Sequence, residues 1–343
     1  MIGADRSVHG GVSAVVNNYY KAGLDKKVEL RYIGTMVDGS RRRKLMQAVW
    51  AYGRFLTTLP WMDILHVNMA ADASFYRKKI FIDTAAFFHK KIVIHEHGGD
   101  FKGFYYDRNR EKGRTVIDRT LNKAQVFLTL SDAWAEFFKP IVRQDKIVVL
   151  ENAIAIPQQC KKEYDNHNLL FLGRLCKEKG ISELLEAIPE AAVKYPDVTL
   201  YLGGVWEDDA LKEKAQSLSN HIVYLGWIGE EEKAQYMEKC SIFVLPTYFE
   251  GQPVSILEAM AKGMAVISTA VGGIPQILQN EKEGILIPPK DAGRLCDSIC
   301  TLIDNTELKR KYGAQAREQV RKNYDIEKHV QRLTEIYEKV YRG

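Results

Sequence analysis

The stretch FVLPTYFEGQPVSILEAMAKGMAVIST, residues 243–269, passes from an unbroken apolar run through a polar loop and a helical pattern to a Lys-Gly turn and a second apolar run. Short apolar runs bounded by turn residues describe strands buried on both faces, and two of them joined through a helix describe a parallel β-α-β crossover. Pro253 suits the first helical position, where its missing N–H is not needed. The backbone N–H groups from Gly251 through Gln252, Pro253's neighbour Val254 and Ser255 then point out of the helix start, a natural seat for a diphosphate. Glu250 sits in the loop before the helix, and Glu258 lies more than a turn inside it. Carboxylates so placed can accept hydrogen bonds from two sets of hydroxyls on one ligand, which suits a nucleotide sugar. The competing reading makes Glu250 a cap and Glu258 a solvent-facing charge.

Working outward, the same alternation fills both halves of the 343-residue chain. Strand-like runs fall at 28–34, 63–68, 91–96, 124–130 and 146–150, and again at 168–173, 198–203, 222–226, 242–246, 264–268 and 284–288, with helical patterns between them. Residues 151–167 carry a proline and no clear period and read as a linker; from about 291 the chain reads as helical to its end. The expected organisation is α/β, with Rossmann-like domains at 1–155 and 156–323 and a C-terminal helix at 324–343. Ligands of such sheets sit at the carboxyl ends of the strands, so a cleft between the domains is the expected site. The loop GADRSVHGG follows Met1 and Ile2 at once, so either a very short first strand or a natural start a few residues upstream is expected.

Composition narrows the class. With 46% hydrophobic and 27% charged residues the chain is globular, and its apolar stretches, such as KIFIDTAAFFHKKIVI, are broken by charges before reaching the roughly 18 residues of a membrane span. No secretory leader is read at its start. Five cysteines, Cys160, Cys176, Cys240, Cys296 and Cys300, form no CxxC pair, which points to a reducing cytoplasm; Cys296 and Cys300, four apart, are expected to share a buried helix face. Charge is uneven: residues 1–155 hold 25 basic against 16 acidic groups (+9), and residues 156–343 hold 24 against 28 (−4). The basic residues are dispersed and no nucleic-acid recognition motif is present.

In LLFLGRLCKEKGISELLEA a strand runs through a Gly turn to Arg174 and Lys179, both able to reach one diphosphate, while Lys177 reads as a solvated charge. Gly10 and Gly11 precede the first helix, either as a plain turn or as backbone open to a phosphate. A complete GxGxxG is missing, which counts against a dinucleotide oxidoreductase.

Together, EGQPVSILE, AKGMAV, VGGIP and the GRLCKEKG element resemble glycosyltransferase family 4 over most of the chain. The resemblance implies the GT-B fold, two Rossmann-like domains facing across a cleft with the C-terminal helix packing back on the N-terminal one. It implies a retaining, metal-independent hexosyltransferase that needs no cofactor, takes a UDP- or GDP-sugar as substrate and serves a glycan or lipid-linked acceptor, as in bacterial surface polysaccharide synthesis. Carried over residue by residue, Glu258 binds the ribose hydroxyls, Glu250 faces the transferred sugar, and Arg174 and Lys179 neutralise the donor phosphates. Gly226, Trp227 and Ile228 stand where relatives hold the nucleobase, although Trp227 could equally pack locally. IVIHEHGGDF resembles the family's strand-end His-Gly element, so His97 would meet donor sugar or acceptor while His95 is structural. A metal site at His95, Glu96 and His97 lacks a third ligand on one face. Departures are Ala153 after Asn152, where the family has glycine, and Gln276, where many relatives have glutamate. A nucleotide-sugar 2-epimerase or a non-catalytic nucleotide-sugar-binding protein of the same architecture are the rival readings.

The +9 charge of residues 1–155 also implies an anionic or membrane-attached partner. Arg41, Arg42, Arg43 and Lys44 open a helix whose Leu45, Val49, Tyr52 and Leu56 share a face, with Trp50, Phe55 and Trp61 nearby. Four cations oppose the dipole of a helix start, so an outside anion explains them better than the helix does. One reading lays this segment on an anionic bilayer at the inner face of the plasma membrane, with Lys78, Lys79, Lys90 and Lys91 extending the patch. The other makes it a solvated basic face over an ordinary core stripe.

Overall fold

Val, Ile, Leu and Phe crowd the short apolar runs, and in the computed structural model, which describes residues 1–158 and 162–343, those runs form two six-stranded parallel sheets. Cys160 lies outside the described residues. Two units result, Met1–Ala155 with Ile326–Gly343, and Ile156–Asp325. The second boundary therefore falls two residues beyond the expected 323/324.

In the first unit the strands are β1 (Ile2–Gly3), β2 (Ile33–Gly34), β3 (Ile64–Met69), β4 (Lys91–Glu96), β5 (Val126–Thr129) and β6 (Ile147–Val149), in the order β2-β1-β3-β4-β5-β6. The first strand is two residues long, and the run expected over 28–34 contributes only its last two residues to the sheet. Its core is aromatic: Phe55, Phe75, Phe81, Phe101, Phe104, Phe127 and Phe138 are buried, several meeting edge to face. The helix Ile326–Arg342 belongs here. Its Ile326, Val330, Leu333 and Tyr337 recur at intervals of three and four and are buried, laying the helix against Gly11–Lys21 and β3. Tyr337 Oη lies 2.5 Å from His66 Nδ1, and His329 stacks on Tyr19 with Nε2 3.2 Å from its hydroxyl.

On the helix Arg41–Thr58 the reading of an ordinary core stripe is the one that fails. Ala51 and Phe55 face the core, whereas Leu45, Val49 and Leu56 are exposed, Leu45 and Val49 at 67%. Tyr52 stays half-buried, its hydroxyl 2.9 Å from Thr84 Oγ1. Lys78 is also not part of any surface patch. It is buried and donates to Ser74 Oγ at 2.7 Å.

The second unit contains β7 (Asn168–Leu172), β8 (Thr199–Gly203), β9 (Ile222–Gly226), β10 (Ile242–Leu245), β11 (Ala265–Thr269) and β12 (Gly284–Ile287), in the order β12-β11-β10-β7-β8-β9. This is the doubly wound order of dinucleotide folds, whose direction of winding reverses between β7 and β10. Cys296 is buried on the helix Ala292–Asp304 and Cys300 partly so.

Candidate functional site

At the reversal between β7 and β10 the two neighbouring loops diverge to opposite faces, leaving a crevice at the strand ends. The loop after β7 runs through Arg174 to a single turn of 3-10 helix, Lys177–Lys179, and Gly180 follows at φ +76°. A side chain at Gly180 would run into the Pro246 carbonyl oxygen, so only glycine lets this turn close on the end of β10. Tyr248 N–H donates to the Glu178 carbonyl at 2.9 Å, and Thr247 Oγ1 to the same oxygen at 3.2 Å. The two loops are thereby tied, and Lys179 Nζ donates to Glu250 Oε1, both side chains mostly buried. Lys177 is exposed.

Behind Glu250 stands the loop Val271–Gly273. Gly272, at φ +54°, lies so close that a Cβ would strike the Glu250 carbonyl oxygen, and Gly273 N–H donates to the Gly251 carbonyl at 2.9 Å. Thr269 Oγ1 donates to the Thr247 carbonyl at 2.6 Å from β11. The loops after β7 and β11 therefore hold the Thr247–Gly251 backbone that follows β10.

The helix after this loop spans Val254–Ala261, so Pro253 is its N-cap (φ −73°, ψ 118°) and not its first helical residue. Its extended ψ delays the turn by one residue. The open helix start is Val254 onward, beside buried Gln252. Glu258, the fifth residue of that helix, accepts from Lys233 Nζ at 2.5 Å. Lys233 comes from the helix Glu230–Lys239, which starts just after Gly226, Trp227 and Ile228. Gly226 has φ +72° with open space beside it, Trp227 is half-exposed and Ile228 is buried. Arg174 Nη1 donates to Glu207 Oε2 at 2.8 Å on the loop after β8. Sequence reading passed over Lys233 and Glu207: lone charges 25 and 33 residues from their partners carry no local signal.

The first unit presents its own strand-end cluster. Gly10 is the N-cap of Gly11–Lys21, and a Cβ at either Gly10 or Gly11 would meet nothing within 4 Å, so nothing in the protein itself demands glycine at the two positions. His97 Nε2 lies 2.9 Å from Asn68 Oδ1, and Asn68 Nδ2 donates to the Ile2 carbonyl at 3.3 Å. With the amide oriented by Ile2, its oxygen accepts, which assigns the proton of His97 to Nε2 and the lone pair to Nδ1. Glu96 turns back to accept from Gly98 N–H at 2.6 Å. Its carboxyl is occupied in shaping the loop. Burial pushes Glu96 well above the usual carboxylate range and pulls the Lys78 ammonium down to about 7. His95 is buried between His66 and His97, with ring centroids at 5.7 and 4.1 Å, and burial holds all three imidazoles well below 6.5. A cavity of about 330 Å³ in this unit lies at the opposite, amino ends of β1 and β3, and of the cluster only His66 lines it.

Residues 166–305, which hold Arg174, Lys179, Glu250 and Glu258, match the family described as Glycosyl transferases group 1. Through this segment, 140 of the 343 residues, the chain is similar to the group 1 glycosyltransferases. Among curated relatives, the phosphatidyl-myo-inositol mannosyltransferase of Mycolicibacterium smegmatis is 30% identical over 179 residues, 51% of this chain and 46% of that protein. The chain spans about half the length of the curated relatives it matches. Among solved structures, sucrose-phosphate synthase of Thermosynechococcus elongatus superposes with a TM-score of 0.81 over 99% of this chain and 98% of that one, at 18% identity. Anabaena HepE, in complex with UDP and glucose, gives 0.79 over 98% of both chains at 19% identity. At such identities the likeness is one of fold. It is the two-unit α/β architecture of GT-B glycosyltransferases.

Proposed function

We propose that the chain is a retaining, metal-independent glycosyltransferase that moves a sugar from a nucleotide-sugar donor to a glycan or lipid-linked acceptor in the cytoplasm. The reading rests on one observation above others. Lys179 and Glu250 meet at the winding reversal of the second unit, within the segment that matches the family. Breaking a sugar–diphosphate bond places negative charge on the leaving phosphate and positive character on the anomeric carbon. Of the three N–H groups of Lys179 one goes to Glu250, and the others suit phosphate oxygens. Arg174, half-exposed on Glu207, can turn its fork to the same diphosphate, and the helix start at Val254 adds backbone N–H groups. Glu250 then positions the transferred sugar and stabilises the positive centre, and Glu258 takes the ribose hydroxyls. His97, with its lone pair on Nδ1, accepts from a sugar hydroxyl. UDP and glucose in HepE, and the mannosyl transfer to a lipid named for the mycobacterial relative, support this class of donor and acceptor.

Thermal-shift and calorimetric screening with UDP, GDP, ADP and their sugars tests the donor. One nucleotide family should bind, activity should survive EDTA, and neutralising Arg174 or Lys179 should lower turnover roughly 100-fold. A divalent metal required for the chemical step overturns the mechanism, and conversion of the donor with no acceptor present makes the protein an epimerase.

A further inference from the structure

The first unit carries an apolar surface that no part of the donor chemistry uses. On the helix Arg41–Thr58 the exposed row is Leu45, Val49 and Leu56, which follows the helical repeat. On the helix Ala73–Phe87 and the residue after it a second row follows the same repeat: Ile80, Phe87 and Phe88, exposed at 54, 77 and 52%. The rows are neighbours. Tyr52, half-buried on the first helix, reaches Thr84 on the second at 2.9 Å, and its ring meets Phe81 edge-on at 5.4 Å, so the two helices lie side by side. Large apolar side chains spread over two adjacent helices make a contiguous face, which soluble proteins seldom leave uncovered.

Charge identifies what covers it. Residues 41–58 contain no acidic side chain, and Arg41, Arg42, Arg43 and Lys44 stand exposed at the helix start, where they oppose its dipole. At the other end Lys90 reaches the Pro60 carbonyl at 3.4 Å, beside exposed Trp61. Cations flanking an exposed apolar face match a bilayer with anionic headgroups and an apolar interior. Among the described residues no helix is long and apolar enough to cross a membrane, so contact through this face is peripheral.

We infer that the paired helices 41–58 and 73–87 form a membrane-docking face that settles on anionic lipid, the apolar rows entering the acyl boundary and the four cations meeting the headgroups. The face stands on the first unit alone, and it holds or fails independently of the donor site in the second.

The test uses the full chain with vesicles of phosphatidylcholine alone, or with about a third phosphatidylglycerol, at low and high salt. Binding is expected on the anionic vesicles at low salt only, with brominated lipid quenching the fluorescence of Trp50 and Trp61. Replacing Arg41–Lys44 by serine should weaken binding roughly 100-fold. The double variant Val49→Ser/Phe87→Ser should abolish the quenching while leaving the melting curve unchanged, because both side chains are already exposed. Nucleotide titration of each variant separates the two readings, since loss of the donor site leaves vesicle binding intact. No binding to anionic vesicles, or binding indifferent to the charge variant, overturns the inference. A self-association removed by Val49→Ser/Phe87→Ser, without vesicle binding, would assign the face to a second copy instead.

Discussion

Glu258 and Lys233 show how a single pair divides the legible from the hidden. Glu258 stands in a motif whose spacing, loop and helix are all local, so its place could be read from residues 243–269. Lys233 arrives from the next strand-helix unit, and only the sheet order brings its ammonium within 2.5 Å. Glu207, which holds Arg174, was hidden for the same reason. With both partners about a quarter exposed, the Lys233–Glu258 pair contributes little stability, and its worth lies in fixing where the carboxylate points. Glu258→Ala should therefore weaken nucleotide binding by about 1–3 kcal/mol in calorimetry, through lost hydrogen bonds to ribose. Lys233→Met should cost less. Should Lys233→Met prove as damaging as Glu258→Ala, the ammonium is what the nucleotide meets, and the roles are reversed.

Among elements, the strands were readable wherever both faces are buried, because a continuous apolar run admits no other reading at that length. The run 28–34 carries polar residues at Glu29 and Arg31 and keeps only two residues of strand. The helix Arg41–Thr58 left two readings open because its larger apolar stripe suits a core and an exposed face alike. The sheet takes instead a small residue and a ring at i and i+4, Ala51 and Phe55, which lets the helix approach closely. Loops were the least legible, since the reason for a glycine lies in a distant backbone. Gly272 and Gly226 make a controlled comparison. Both have positive φ, but a methyl at Gly272 strikes the Glu250 carbonyl while one at Gly226 meets open space. Gly226→Ala should cost about 1 kcal/mol of backbone strain in denaturant melts. Gly272→Ala adds a displaced Glu250 loop, for a total of about 2–4 kcal/mol with weakened donor binding. Equal losses at the two positions would remove close approach as the reason for the Gly-Gly turn.

At the level of the whole molecule, stability should turn on a group of buried histidines in the first unit. Burial lowers His66, His95 and His97 well below 6.5 and His329 to about 4. Below pH 6.5 the unfolded chain takes up protons on these imidazoles that the folded one refuses, so their contribution to stability is full above that pH and falls as pH drops toward 4. His329 alone accounts for about 3 kcal/mol across that window. Urea melts between pH 7.5 and 4.5 should show it, with His329→Gln flattening part of the slope; a melt indifferent to pH would mean that the imidazoles are charged in place.

His329 and Tyr337 also belong to a helix that returns to the first unit after the whole of the second, with Ile326 N–H on the Ile154 carbonyl at 3.0 Å. On a ribosome, then, the unit made first is the unit finished last. Residues 156–325 can emerge and close on themselves while Tyr19 and His66 still wait for their cover, for on the order of 10–40 s at ordinary elongation rates. Through that interval the amino-terminal sheet is the part a chaperone would meet, and a stalled or shortened message would strand it there.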